Sequence, residues 1–279
     1  MSGSGEVAIL DRPLVPESPQ RNRRGWVDRV WQVYAAAGGL AALAYLLVGA
    51  DGGKGPAFSM IGISSLVAIL MGIRLHRPRR RLAWYLFAAG IAMFVLGDAF
   101  YYTLPKLLHR PPPPFPSTGD VFYLLVYPLL IAGVVVLIRQ RNPRRDAVGL
   151  IDALIVSTAL GLVAWVFLIL PYARDPSLTL GRKVISMAYP LMDVLLLGVA
   201  ARLALDRGNR RPAFHLLIVS MLCLLAADTA YGLIVLHGTY TTGSPLDTLW
   251  IAFYVAWGAA PCTPRCRPCP SPPSKPRAD

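Results

Sequence analysis

Long apolar runs alternate with short arginine-rich ones along this chain. A hydrocarbon core of ~30 Å is crossed by about 20 mostly apolar residues in a helix. That ruler predicts helices near residues 30 to 50, 57 to 75, 83 to 104, 118 to 138, 147 to 171, 184 to 205, 212 to 236 and 247 to 260. The last reaches only Ala260 before Pro261, which leaves it short of a full span. The expected fold class is all-α: a polytopic transmembrane bundle of about eight helices.

Two phrases repeat between the halves. SMIGISSLVAILMG from Ser59 resembles SMAYPLMDVLLLG from Ser186, and each is followed by an arginine-rich turn and a helix carrying GDAFY or ADTAY. YPLLIAG at Tyr127 also echoes YPLMDVL at Tyr189, so a two-helix hairpin is the alternative unit. The favoured reading is a parallel 4+4 internal repeat.

Composition supports the membrane reading. Only 15% of the 279 residues are charged and 55% are hydrophobic. A soluble domain carries about a quarter charged residues. The net charge of +13 raises nucleic acid as a partner. Its distribution argues for topology instead, because the arginines cluster in alternate loops. Arg21, Arg23, Arg24 and Arg29 precede the first helix, and Arg74, Arg77, Arg79, Arg80 and Arg81 follow the second. Arg139, Arg141, Arg144 and Arg145 follow the fourth, and Arg202, Arg207, Arg210 and Arg211 the sixth. Against these seventeen, the other loops hold six: Lys54, Lys106, Arg110, Arg174, Arg182 and Lys183. Positive loops stay on the cytoplasmic side, so a multi-pass cell-membrane protein with both termini in the cytoplasm is expected. Residues 1–29 then form a cytoplasmic polar segment without the apolar core of a signal peptide. The bilayer is the expected partner and nucleic acid is not; a homodimer is left open. The longest outer loop carries HRPPPPFPS, His109 to Ser117, read as a stiff polyproline spacer.

Four times an Asp stands three residues before an aromatic: Asp98 with Tyr101, Asp120 with Tyr123, Asp228 with Tyr231 and Asp247 with Trp250. That spacing puts both side chains on one helical face. Helices 3 and 7 reach their Asp at the outer end, and helices 4 and 8 begin there. All four pairs therefore fall at similar depth. Tyr127 and Tyr254, each seven residues after its Asp, extend the face inward. Singly, such aromatics belong to an interfacial belt, and Asp at a helix start serves as a cap. Recurrence in both halves points to a shared outer pocket for a cation, a proton or a small polar ligand, whose identity is unknown. Asp193, beside Pro190 near the middle of helix 6, is a further candidate, since a mid-membrane carboxylate is costly to bury. Asp152, toward the basic end of helix 5, is better read as structural.

Other chemistry finds little footing. His76, His109, His215 and His237 lie in loops or at helix ends, poorly placed as haem ligands across a bundle. DGGKGP from Asp51 lacks the Ser or Thr of a phosphate loop and reads as a turn. No H-E-x-x-H or G-x-S-x-G phrase occurs. No cofactor, metal site or catalytic residue is expected.

PSTGDVFYLLVYPLLIAG (Pro116 to Gly133), VGLIDALIVSTAL (Val148 to Leu160), AYPLMDVLLLGVAARL (Ala188 to Leu203) and SPLDTLWIAFYVAWGAA (Ser244 to Ala260) carry a resemblance. Together they resemble the N-terminal multi-spanning module of actinobacterial diguanylate cyclase and phosphodiesterase proteins, over roughly residues 30 to 260. In that family WGAA continues with wording like A-L-H-P-S-M, further helices, then cytoplasmic PAS, GGDEF and often EAL domains.

The resemblance bears on the tail, residues 261–279, rich in Pro, Arg and Cys. Cys262, Cys266 and Cys269 have a spacing that suits an iron–sulfur cluster, but the surrounding prolines leave no folded shield for one. The codons GCC CTG CAC CCC TCG ATG, followed by C, encode Ala-Leu-His-Pro-Ser-Met. Read from the second base they give Pro-Cys-Thr-Pro-Arg-Cys, which is residues 261 to 266. The tail is therefore expected to be a disordered, frameshifted reading. The resemblance implies a membrane sensory module of a cyclic di-GMP signalling protein. With neither a GGDEF nor an EAL motif in the chain, it would have no nucleotide chemistry of its own. A small-molecule or ion transporter or channel, and a membrane anchor or scaffold, are the alternatives.

Overall fold

The computed structural model describes residues 29–47, 54–76, 81–111, 113–141, 147–205, 212–241 and 243–263. Eight principal helices run through them. They are α1 (Val30–Leu47), α2 (Lys54–His76), α3 (Leu82–Asp98), α4 (Thr118–Arg141), α5 (Ala147–Ala164), α6 (Leu180–Leu205), α7 (Pro212–His237) and α8 (Asp247–Ala259). No strand occurs among the described residues. Among the described residues, seven spans are long and apolar enough to cross a membrane. The chain is an all-helical multi-pass membrane protein.

The exception is α8, and its position explains its length. It packs against α1, α2 and α7, and Ile251, Phe253, Tyr254 and Trp257 are fully buried. A helix apolar all round belongs in the interior of such a bundle. Two hydroxyls grip its backbone: Ser65 of α2 donates to the Tyr254 carbonyl and Ser220 of α7 to the Phe253 carbonyl, each at 2.7 Å. At the other extreme, α1 and α5 turn large apolar side chains outward, with Leu40 68% and Leu162 63% exposed. Such surface suits lipid.

Where helices touch, small residues let backbones approach. A Cβ on Gly133 of α4 would lie 2.3 Å from the Phe87 ring of α3, and one on Gly90 of α3 would lie 2.7 Å from Leu130 of α4. Phe87 in turn meets Trp257 edge to face at 5.1 Å, joining that pair to the central helix.

Several helices run past their expected limits. After Asp98, α3 continues through a π turn, Ala99–Thr103, and a last turn, Leu104–Leu107. Likewise α5 continues through a π turn, Trp165–Ile169, to Arg174. In both, Pro105 and Pro171 fall just after the π turn, where a missing N–H is tolerated. Lys54 opens α2, so only the first part of DGGKGP is free to form a turn; Asp51 to Gly53 lie outside the described residues.

Of the arginine runs, Arg29, Arg74, Arg81, Arg139, Arg141 and Arg202 are described, each at or beside a helix end. Arg21, Arg23, Arg24, Arg77, Arg79, Arg80, Arg144, Arg145, Arg207, Arg210 and Arg211 lie outside the described residues. Beyond α8 the chain makes a 3₁₀ turn, Ala260–Cys262. Pro261, Cys262 and Thr263 are buried, and the Cys262 thiol faces the Ala68 carbonyl of α2 at 3.4 Å. Residues 264–279, with Cys266 and Cys269, lie outside the described residues.

Candidate functional site

At one end of the bundle, the C-terminal ends of the odd-numbered helices meet the N-terminal parts of the even-numbered ones around a cavity of about 290 Å³. Five carboxylates line it: Asp98 of α3, Asp120 of α4, Asp193 of α6, Asp228 of α7 and Asp247 of α8. The remaining wall is mostly aromatic. No Lys, Arg or His lines it among the described residues.

Tyrosine hydroxyls and other neutral donors hold four of the five acids. Asp98 accepts from Tyr123 and from Tyr254, both at 2.9 Å. Asp228 accepts from Tyr127 at 2.8 Å and from the Trp250 indole at 2.9 Å. Asp120 accepts from Tyr189 at 2.7 Å, while its other oxygen takes the Ser117 backbone N–H at 2.6 Å and the Ser117 hydroxyl. Asp247 accepts from Tyr45 and Tyr240, and from the Gly243 N–H at 2.7 Å. Asp120 thus binds the Ser117 N–H at the start of its helix with one oxygen, as in a capping box, and Tyr189 with the other, while Asp247 Oδ2 takes both the Gly243 N–H and the Tyr45 hydroxyl. Asp120 therefore holds the capping role and the pocket role at once.

These bonds follow a two-fold pattern. In each half, the Asp near the end of the third helix takes one donor from the following helix, at the Asp+3 aromatic: Tyr123 or Trp250. It takes the second from the opposite half, at the Asp+7 tyrosine: Tyr254 or Tyr127. The halves are stitched together through their carboxylates.

Ten of the eleven candidate residues line the cavity: Asp98, Tyr101, Asp120, Tyr123, Tyr127, Asp193, Asp228, Tyr231, Asp247 and Trp250. Tyr254 stands behind the wall, fully buried, and reaches it through Asp98. Both members of each Asp-x-x-aromatic pair line the cavity, but they do not bond each other. No hydrogen bond joins Asp98 to Tyr101, Asp120 to Tyr123, Asp228 to Tyr231 or Asp247 to Trp250; every side-chain partner except Ser117 and Tyr240 comes from another helix. Asp152 is exposed and away from the cavity.

Other contributors were not singled out by the sequence pattern. Tyr45 and Tyr189 donate to carboxylates from α1 and α6, but neither has an Asp three residues away. Tyr102 lies on the π turn, which brings it as well as Tyr101 to the cavity. Tyr172 lines the wall and donates to the Gly232 carbonyl at 3.1 Å. Phe115 belongs to the segment read as a proline-rich spacer, yet its ring lines the cavity and its carbonyl accepts from Arg182 at 3.0 Å. In the α7–α8 loop, burial and the bond to Asp247 push the Tyr240 hydroxyl well above its ordinary range.

Asp193 differs from the other four acids. It is 7% exposed, and its Oδ1 has no hydrogen-bond partner. Tyr127, the donor to Asp228, lies within reach of Asp193 as well, so the two carboxylates flank one hydroxyl. Asp193 itself lines the cavity, and a buried carboxylate short of a donor there gains from a guest that supplies one. No three of His, Cys, Asp and Glu among the described residues are grouped as metal ligands.

Comparison of the chain with family models, with curated proteins and with solved structures returned no match.

Proposed function

We propose that the chain is the membrane-embedded sensory module of a cyclic di-GMP signalling protein, with the acidic aromatic cavity as its ligand site on the outer side. The carrying observation is the reciprocal bonding of Asp98 and Asp228, each held by one donor from its own half and one from the other. A guest that competes for these donors would change how the halves pack. Such a change in helix packing is the kind of signal a membrane module passes to a cytoplasmic output domain. The resemblance of four phrases to the input module of GGDEF and EAL proteins supplies the output chemistry in this reading, and the arginine distribution supplies the orientation.

The test has two steps. Genomic sequence beyond codon 260 in the alternative frame should continue into helices and a GGDEF-type motif. The frame-restored protein should then alter cellular cyclic di-GMP, and Asp98→Asn with Asp228→Asn should change that level. A genuine stop with nothing coherent beyond it, or a level indifferent to both substitutions, overturns the proposal. A transporter is the second reading, favoured by carboxylates within spans of a two-fold bonded bundle. Flux of a cationic solute into vesicles containing the protein would favour it.

A further inference from the structure

Five acids around a cavity do not by themselves define a ligand, but their bonding narrows the choice. Asp98, Asp120, Asp228 and Asp247 each have both oxygens engaged by donors. Asp193 Oδ1 alone among them has none, on a side chain more than nine-tenths buried. The Asp193 carboxylate is thus the acid of the wall left short of a donor, and a guest that carries an N–H or O–H can supply one.

Charge narrows the class further. No cationic side chain lines the cavity among the described residues, so the acids there have no basic counter-ion within the wall. Arg182 and Lys183, the nearest basic residues in sequence to the start of α6, spend their donors on the Phe115 and Ala173 carbonyls. A guest bringing positive charge is favoured, and an anion is strongly opposed. A bare metal ion suits the site poorly. It needs several oxygens converging at short range, and no three of His, Cys, Asp and Glu among the described residues are grouped in that way. The rest of the wall is mostly aromatic, Phe94, Tyr101, Tyr102, Tyr172 and Tyr231 among it. Rings of this kind attract an organic cation and bury its apolar body. A cavity of about 290 Å³ is near the lower limit for small-molecule sites, roughly 300 Å³.

We propose that the cavity binds a small protonated amine with an apolar body, its ammonium N–H donated to the Asp193 carboxylate beside Asp228 and its body against the tyrosine wall. This names the ligand class of the site and rests on the reading of the cavity as a binding site. Amine binding would engage the hydroxyl of Tyr127, which serves Asp228 and reaches Asp193, and so act on one of the two cross-half bonds.

The full chain in lipid nanodiscs can be titrated calorimetrically with four probes of one shape. They are 2-phenylethylammonium, its trimethylammonium analogue, 2-phenylethanol and phenylacetate. The primary ammonium should bind at least tenfold more tightly than the alcohol and the trimethyl compound, and phenylacetate should not bind. Asp193→Asn should weaken ammonium binding tenfold or more, without lowering the melting temperature of the free protein. Asp152→Asn, exposed and remote from the cavity, should leave it unchanged. Equal binding of the alcohol or the trimethyl compound, or wild-type affinity in Asp193→Asn, overturns the amine assignment while keeping the cavity as a binding site. Binding by none of the four overturns both. The comparison among probes uses the native chain, so it stands even where a variant folds poorly.

Discussion

Tyr254 donates its hydroxyl to Asp98 at 2.9 Å across 156 positions of sequence. Its counterpart Tyr127 does the same for Asp228 at 2.8 Å across 101 positions. Each tyrosine therefore stabilises the half of the bundle to which it does not belong. Removing one hydroxyl leaves a buried carboxylate oxygen without its donor, a loss of about 1–3 kcal/mol. Tyr254→Phe and Tyr127→Phe should each lower thermal stability in detergent by that order. Because they serve different acids, the double variant should lose about the sum. Tyr123→Phe with Tyr254→Phe strips both donors from Asp98, so that pair should depart from additivity by at least ~0.5 kcal/mol. Additivity in both pairs would show that the network is not coupled through its acids.

A second prediction concerns how closely α3 and α4 approach. A methyl at Gly133 meets the fully buried Phe87 ring, which is enclosed further by Trp257. Gly133→Ala should cost about 1–3 kcal/mol by overpacking. A methyl added at Gly39 of α1 would have nothing within 4 Å, and Ala there should be neutral or stabilising by a few tenths to about 1 kcal/mol. Comparable melting temperatures for the two variants would contradict the tight α3–α4 contact.

Apolar length alone made the helices legible, and alternation of the chain placed Asp98, Asp120, Asp228 and Asp247 at one end of the bundle. Each of those acids does line the common cavity. The bonding partners were not legible. Spacing reports which residues share a face of one helix, whereas Tyr45, Tyr189, Tyr127 and Tyr254 reach their acids across helices. The π turns were hidden for a related reason: Ala99–Thr103 and Trp165–Ile169 are as apolar and aromatic as the α-helix around them, so nothing in hydropathy marks the change of winding. The short α8 reads as an interrupted span by length, and only packing shows that its thirteen residues form the centre of the bundle.

Alkaline pH offers a third test at the cavity rim. Tyr240 is held neutral by burial first and by its bond to Asp247 second, with Tyr102 and Tyr45 adding to the effect. A tyrosine whose folded pKa lies above its unfolded value of 10.0 contributes stability that is intact below pH 10 and declines as pH rises above it. Tyr240→Phe removes that one titration. The variant should be less stable than the native protein near pH 8, through the lost bond, and should decline less steeply above pH 10. Parallel alkaline limbs in denaturant titrations would contradict the raised hydroxyl.

The last prediction decides which side of the membrane the cavity faces. Thr179 follows α5 at the cavity end, while Arg81 precedes α3 near the described Arg74; both positions are exposed. Arginine retention on the cytoplasmic side assigns Arg81 to the inside and Thr179 to the outside. In a background with Cys223, Cys262, Cys266 and Cys269 replaced, Thr179→Cys in intact cells should react with a membrane-impermeant thiol reagent. Arg81→Cys should react only after permeabilisation. The reverse pattern would put the acidic cavity toward the cytoplasm, where an extracellular amine could not reach it directly, and would remove the basis for outward sensing. The assignment therefore bears on the function as much as on the topology: with the arginine runs inside, the amine proposed for Asp193 would be supplied from the outer solution.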